Sequence, residues 1–248
     1  MDLKQFFMEH PEAAIAFSGG VDSAYLLYAA VRCGARVKAY YAKSDFQPQF
    51  ELDDAQTLAA QLGVEMAILP LDILCSGIIT ANPPDRCYHC KKAIFQTILD
   101  AAKADGFGLL LDGTNASDDA LDRPGMRALA ELSVRSPLRE CGLTKAEIRR
   151  LSKEAGLFTH DKPAYACLAT RIPTGEVITA EKLRRTEDAE SYLAGLGFRD
   201  FRVRSFGDTA RIQAVASDLP KIMEHRESIV SQLKQRYSGV LLDLEVRK

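Results

Sequence analysis

The chain has 248 residues, 47% hydrophobic and 27% charged, and its 32 Lys and Arg against 34 Asp and Glu leave a formal charge of −2. That length buries a core without disulfide support, and the charge excludes a global basic field for gripping a long nucleic acid. No run approaches the ~18 apolar residues of a membrane span and residues 1–10 lack the basic and apolar regions of a signal peptide, so the expectation is a cytoplasmic protein with no membrane partner.

The first predicted strand, 13–17, runs into Ser18-Gly19-Gly20-Val21-Asp22-Ser23 and a helix over 23–32. Two glycines and two serines at a strand-to-helix turn offer backbone N–H groups and a helix N-terminus to an anion, so the turn reads as a phosphate site. A Walker A loop is excluded: no lysine follows the glycines, and an acid, Asp22, sits in the turn. A strand over 36–41, a helix over 51–62 and a strand over 64–69 continue the alternation, which requires a parallel sheet with crossover helices. Tyr40, Tyr41 and Ala42 then lie at the carboxyl edge of the sheet, where open α/β sheets bind ligands; adenine contact and plain packing both suit the tyrosines.

Next comes Arg86-Cys87-Tyr88-His89-Cys90-Lys91, a C-x-x-C beside cations that favour thiolates. The pair alone suits half a zinc site, a redox pair, or two thiols at a helix start; for zinc, His89 between the cysteines is an awkward further ligand and His160 is the only other histidine nearby in sequence. A helix over 91–103 and a strand over 107–112 lead to Asp112-Gly113-Thr114-Asn115-Ala116-Ser117-Asp118, again at the carboxyl edge, although its residues also suit an ordinary turn. Arg123 and Arg135 suit phosphate contact or solvent equally. Thr144-Lys145-Ala146-Glu147 is a capping box opening a helix.

Beyond residue 163 the texture changes to a helix over 180–196, strands over 201–206 and 210–216, a helix over 219–237 and a strand over 240–246. This reads as a small α+β unit with its own sheet, dividing the chain into 1–165 and 166–248. Alternation in Phe201-Arg202-Val203-Arg204-Ser205 puts Arg202 and Arg204 on one strand face, and the next strand adds Arg211 with Gln213. Three guanidiniums there make a local anion site, or the polar outer face of an antiparallel sheet.

S-G-G-V-D-S after a strand resembles the PP-loop of the adenine-nucleotide α-hydrolase group, which cleaves ATP to AMP and pyrophosphate. R-C-Y-x-C-K, L-L-D-G-T-N-A-S-D, R-P-G, R-S-P-L and C-L-A-T-R-I-P, in that order, resemble one PP-loop family over nearly the whole chain. This is the LarE family of ATP-dependent sulfur transferases, which make the nickel-pincer nucleotide cofactor of lactate racemase. The resemblance implies a PP-loop (HUP-like) α/β domain holding ATP through Ala16, Ser18, Gly19, Gly20, Asp22, Ser23, Tyr41, Gly113, Thr114 and Asn115, with Asp22 helping to hold Mg²⁺. It implies sulfur delivery at Cys167 and, because Cys87 and Cys90 are also present, the type in which three cysteines hold a 4Fe-4S cluster. Three thiolates leave one iron open for an extra sulfide. Cys33, Cys75 and Cys141 read as buried small hydrophobes or spectators.

The implied substrate is pyridinium-3,5-biscarboxylic acid mononucleotide, adenylated on a carboxylate and then converted to the thiocarboxylate with release of AMP. Arg202, Arg204, Arg211 and Glu190 would hold its phosphate, and the assembly would be a hexamer; the resemblance does not identify the sulfide donor. Two rivals stand beside this reading, a tRNA thiolation enzyme of the PP-loop class and a nucleotide sensor holding ATP and a metal without turnover. Near-neutral charge counts against the first, and a set of three thiols against the second.

Overall fold

In the computed structural model, which describes residues 1–118 and 124–247, Asp2 caps the first helix, α1 (Leu3–Glu9), accepting from the Gln5 N–H at 2.8 Å. The sequence does not predict this helix, because so short a segment shows no helical period. There follow β1 (Glu12–Ala16), α2 (Val21–Arg32), β2 (Arg36–Lys43), α3 (Gln49–Gln61) and β3 (Met66–Pro70). Beyond a one-turn α4 (Gly77–Thr80) come α5 (Arg86–Ala104), β4 (Leu110–Leu111), α6 (Pro124–Glu131), α7 (Pro137–Glu140) and α8 (Lys145–Glu154).

The four strands make one parallel sheet in the order β3-β2-β1-β4, the expected α/β arrangement. Both faces of the central strand are buried, as crossover helices require. Ala13 and Ile15 pack with Tyr41 and Leu111 against Phe6 of α1, Leu27 of α2 and Ile148 of α8. Ala14, Tyr40 and Leu110 pack against Phe95, Ile98 and Ala102 of α5. The sequence predicts a longer fourth strand, but beyond Leu111 the ladder passes to Arg135, whose carbonyl accepts the Asp112 N–H at 2.9 Å. Residues 112–118 are thereby released as a loop at the carboxyl edge. α5 begins at Arg86 rather than Lys91, so both cysteines of the C-x-x-C lie on it.

The chain divides into two compact units, Met1–Ile73 with Asp85–Tyr165, and Leu74–Pro84 with Ala166–Lys248. The second contains α4, α9 (Ala180–Gly195), β5 (Phe201–Phe206), β6 (Thr209–Ala214), α10 (Leu219–Glu224), α11 (Arg226–Leu233) and β7 (Gly239–Leu242). Its sheet runs β5-β6-β7, antiparallel across the first pair and parallel across the second, over a core of Leu193, Val203, Ile212, Ile229 and Leu233. The helix predicted over 219–237 breaks at His225, whose backbone at φ −90° and ψ 8° leaves the helical region. β7 stops short of the predicted residue 246 because Asp243 forms a turn, its Oδ1 accepting the Glu245 N–H at 3.1 Å. Residues 74–84 are stitched to this unit by Asn82, which donates to the Pro173 carbonyl at 2.8 Å and accepts from the Gly175 N–H at 2.8 Å. Among the described residues no helix is long and apolar enough to cross a membrane.

Candidate functional site

β1 ends at Ala16, and the chain turns through Phe17–Gly20 into α2. Gly19 has φ +70°, and a Cβ on it would lie 3.0 Å from the Ala55 Cβ of α3, so conformation and space both demand glycine. The turn is folded on its own hydroxyls. Ser23 Oγ donates to the Gly20 carbonyl at 3.2 Å, accepts from the Ser18 N–H at 3.3 Å and lies 3.2 Å from Ser18 Oγ. Gly20 starts α2 without a side-chain cap, which leaves first-turn N–H groups for an anion.

Asp22, in that first turn, places Oδ2 2.5 Å from the Lys145 Nζ, while its Oδ1 is buried with no hydrogen-bond partner. An orphaned, buried carboxylate oxygen is a hard donor suited to Mg²⁺. The 112–118 loop lies against the same turn: a Cβ on Gly113 would be 2.8 Å from the Ser23 N. Asp112 holds the loop from beneath, accepting from Thr114 Oγ1 at 2.5 Å and Ser136 Oγ at 2.6 Å. The Asn115 side chain accepts the Ser117 N–H at 2.8 Å. The loop is tied to the start of α8 by the Ala116 N–H on the Leu143 carbonyl at 2.8 Å and the Lys145 N–H on Ser117 Oγ at 3.0 Å.

These segments enclose a cavity of ≈ 330 Å³ at the carboxyl edge. Of the residues expected to hold a nucleotide, Ala16, Ser18, Gly20, Asp22, Ser23, Tyr41, Gly113 and Thr114 line it, while Gly19 packs on α3 and Asn115 shapes the loop. Tyr40 also lines it, its ring packed edge-on against Phe107 and its hydroxyl donating to Asp105 at 2.7 Å. The Tyr41 hydroxyl is buried without a partner, and burial, reinforced by the Glu51 and Asp53 carboxylates, pushes the phenol pKa up. Lys91, Gln47 and Glu51 line the cavity too, and the sequence did not single them out for it. The one available signal was the place of Lys91 directly after the C-x-x-C. Lys162, likewise unforeseen, pairs with Asp54 at 2.6 Å and donates to the Gly19 carbonyl at 3.5 Å.

Cys87 is exposed and Cys90 buried, three positions apart on α5 and so on one helix face. Arg86, only 6% exposed, sets its guanidinium Nη2 3.9 Å from Cys87 Sγ and Nη1 4.0 Å from Cys90 Sγ, and the guanidinium lies over the Phe46 ring. Both sulfurs thus meet a charged N–H donor. Cys33 and Cys141 are half-buried against the core, and burial raises the pKa of both thiols; Cys75 is exposed, so core filling does not account for it.

Cys167 lies in the second unit, at the start of the turn Leu168–Arg171. Arg171 is 1% exposed and grips Glu190 with Nε at 2.7 Å and Nη2 at 3.1 Å, while its Nη1 donates to the Ala166 carbonyl at 3.0 Å. Glu190 also accepts the Val203 N–H at 2.8 Å, so this carboxylate supports the cysteine turn from within. Arg204 stands opposite Arg211 in the β5–β6 register and donates to the Thr170 carbonyl at 2.7 Å. Arg202 is buried, and burial, then the Arg171 and Arg247 charges, push it down to about 10. Burial likewise lowers Arg204, and Arg211 lies 3.5 Å from Asp243. This concentration of guanidinium charge favours an anion. Arg135 is engaged with Glu140 and with His10 Nε2, and Arg123 lies outside the described residues. Among the described residues no three His, Cys, Asp or Glu side chains are gathered as a metal-binding group.

Comparison with known proteins matches residues 12–82 to the family model of queuosine biosynthesis protein QueC. The chain is 38% identical to an uncharacterized protein of Synechocystis sp., over 98% of this chain and 92% of that one. It is 34% identical to the pyridinium-3,5-bisthiocarboxylic acid mononucleotide synthase of Lactiplantibacillus plantarum, over 93% of this chain and 84% of the relative. A more distant similarity, 25% identity over 61% of the chain, connects it to the tRNA-specific 2-thiouridylase MnmA of Thermotoga petrophila.

Proposed function

The chain belongs to the LarE family, that of pyridinium-3,5-bisthiocarboxylic acid mononucleotide synthase, and from this premise we propose that it inserts sulfur into a pyridinium dicarboxylic acid mononucleotide. It is an ATP-dependent sulfurtransferase of the PP-loop class. The observation that carries the nucleotide part is the carboxyl-edge cavity, where uncapped α2 N–H groups, the unpartnered Asp22 Oδ1 and Lys91 meet.

In the proposed reaction a substrate carboxylate oxygen bonds to the α-phosphorus of ATP, and the bond to pyrophosphate breaks. The α2 N–H groups hold the departing pyrophosphate, and Mg²⁺ on Asp22 would offset its charge. Ala16, Tyr41 and the Gly113–Asn115 loop position the adenosine. Sulfide then bonds to the acyl carbon, and AMP leaves with the electron pair of the broken C–O bond. Cys87, Cys90 and Cys167 would hold a 4Fe-4S cluster that supplies this sulfide; the paired thiols facing Arg86 suit such ligation. Arg202, Arg204 and Arg211 would take the substrate phosphate, and Glu190 would act through Arg171 by fixing the Cys167 turn. Residues 1–165 thus serve ATP, and 166–248 serve the substrate and a homo-oligomeric, hexameric assembly in the cytoplasm.

The test is anaerobic iron and labile-sulfide analysis. The expected outcome is about four irons per chain and a broad absorption near ~400 nm. Each of C87A, C90A and C167A should lose the cluster and sulfur transfer, and C33A neither. Tightly bound zinc would overturn the cluster, as would iron-free protein active with a ~34 Da loss at Cys167, the mark of sacrificial sulfur.

A further inference from the structure

The Asp22–Lys145 ion pair joins residues 123 positions apart, and the local rules of helix chemistry do not explain it. Lys145 is the first residue of α8, where the helix dipole disfavours a cation. Its backbone is nevertheless fixed there. Glu147 Oε2 accepts the Thr144 N–H at 2.9 Å, Thr144 Oγ1 accepts the Glu147 N–H at 3.3 Å, and the Lys145 N–H is bound to Ser117 of the cavity loop. From that position the ammonium reaches Asp22 Oδ2 at 2.5 Å, the two side chains being 33% and 22% exposed. Oδ1 of the same carboxylate is left buried and unpartnered, and Asp22 lines the cavity.

We propose that Lys145 is a resident counter-ion that holds Asp22 until a nucleotide arrives, so that the carboxylate accepts a divalent cation only once a triphosphate draws the ammonium to itself. The proposal rests on the ATP reading of the cavity. In the empty enzyme a divalent ion approaching Oδ1 meets a carboxylate already neutralised by a cation on its other oxygen, and the two positive charges repel. A triphosphate supplies several acceptor oxygens to the flexible lysine stem and restores the full charge of Asp22 to the metal. Metal and nucleotide binding are therefore positively coupled, and each tightens the other by the same factor. The arrangement keeps the metal out of a site with no nucleotide to act on.

The test uses the full-length protein and Mn²⁺ as the probe, read from the electron paramagnetic resonance of the free ion, with and without an ATP analogue bearing a methylene between the α and β phosphorus atoms. Wild-type protein should bind Mn²⁺ weakly alone and ~10-fold or more tightly with the analogue. K145Q should bind Mn²⁺ alone ~10-fold more tightly than wild type, the gain should vanish in D22N/K145Q, and K145R should behave as wild type. Folded K145Q whose Mn²⁺ affinity without nucleotide is unchanged or weaker overturns the proposal. If K145Q does not fold, the wild type decides: equal Mn²⁺ affinity with and without bound analogue overturns it. Equilibrium dialysis of the analogue separates the two readings. Absent analogue binding overturns the ATP reading together with the proposal, whereas normal analogue binding with no Mn²⁺ response overturns the counter-ion role alone.

Discussion

Gly113 is the residue whose substitution most directly tests the nucleotide cavity. A Cβ there would stand 2.8 Å from the Ser23 N and 3.1 Å from its Cα, and backbone atoms at the start of a helix do not yield as a side-chain tip would. G113A must push the 112–118 loop off the first turn of α2. The expected cost is about 1–3 kcal/mol in urea denaturation, with ~10-fold or greater loss of ATP-analogue affinity in equilibrium dialysis. Gly20 serves as a contrast, since its added Cβ would meet only Ser18 Oγ at 3.4 Å. G113A that folds and binds as wild type would show that the close approach does not shape the site. The glycines at 19 and 113 are visible in the sequence as motif members, but their necessity comes from neighbours distant in the chain, Ala55 and Ser23. The same holds for Lys91 and Lys145: composition marks a cation, and only packing shows which cavity or carboxylate it reaches.

Among the elements, the cysteine turn, α9 and β5 are locked by one buried ion pair. Arg171 and Glu190 are 1% and 6% exposed in their side chains, and the pair also engages the Ala166 carbonyl and the Val203 N–H. R171M leaves the carboxylate buried with its cation gone, so urea denaturation should show a loss of about 3–5 kcal/mol. R171M/E190L removes both charges and should recover most of that loss, because the penalty lies in the uncompensated ion more than in the missing attraction. A single variant no less stable than the double one would contradict this. Nothing local in A-C-L-A-T-R announces the pair, since its partner stands on a helix 19 positions away. The strand and helix alternation of the first unit is legible because apolar runs and helical periods recur with short loops. Features set by partners are not: β4 is cut short where Arg135 takes over the ladder, and residues 74–84 join the second unit through Asn82.

For the whole molecule, charge distribution separates a mononucleotide enzyme from a tRNA thiolation enzyme. A formal charge of −2 provides no extended positive field, and the basic groups of the second unit are interleaved with acids: Arg171 with Glu190, Arg211 with Asp243, Arg247 with Asp200. Arg202 likewise lies 4.0 Å from Asp200, and Arg204 donates to the Thr170 carbonyl, so the guanidiniums of this sheet form no continuous basic track. Binding to tRNA demands many phosphate contacts, each steepening the fall of log affinity with log salt by about 0.7–0.9. Filter binding of bulk tRNA across the ~4-fold range from about 50 to about 200 mM salt should therefore show only weak association, with a Kd in the non-specific range of about 10⁻⁴–10⁻⁶ M. The 25% identity to a tRNA-specific 2-thiouridylase covers 61% of the chain, which makes this comparison the sharpest available at molecular scale. Tight tRNA binding with a steep salt slope would move the sulfur acceptor from a small mononucleotide to RNA. Weak tRNA binding, together with pyrophosphate release that depends on the pyridinium dicarboxylic acid mononucleotide, would identify the small mononucleotide as the sulfur acceptor.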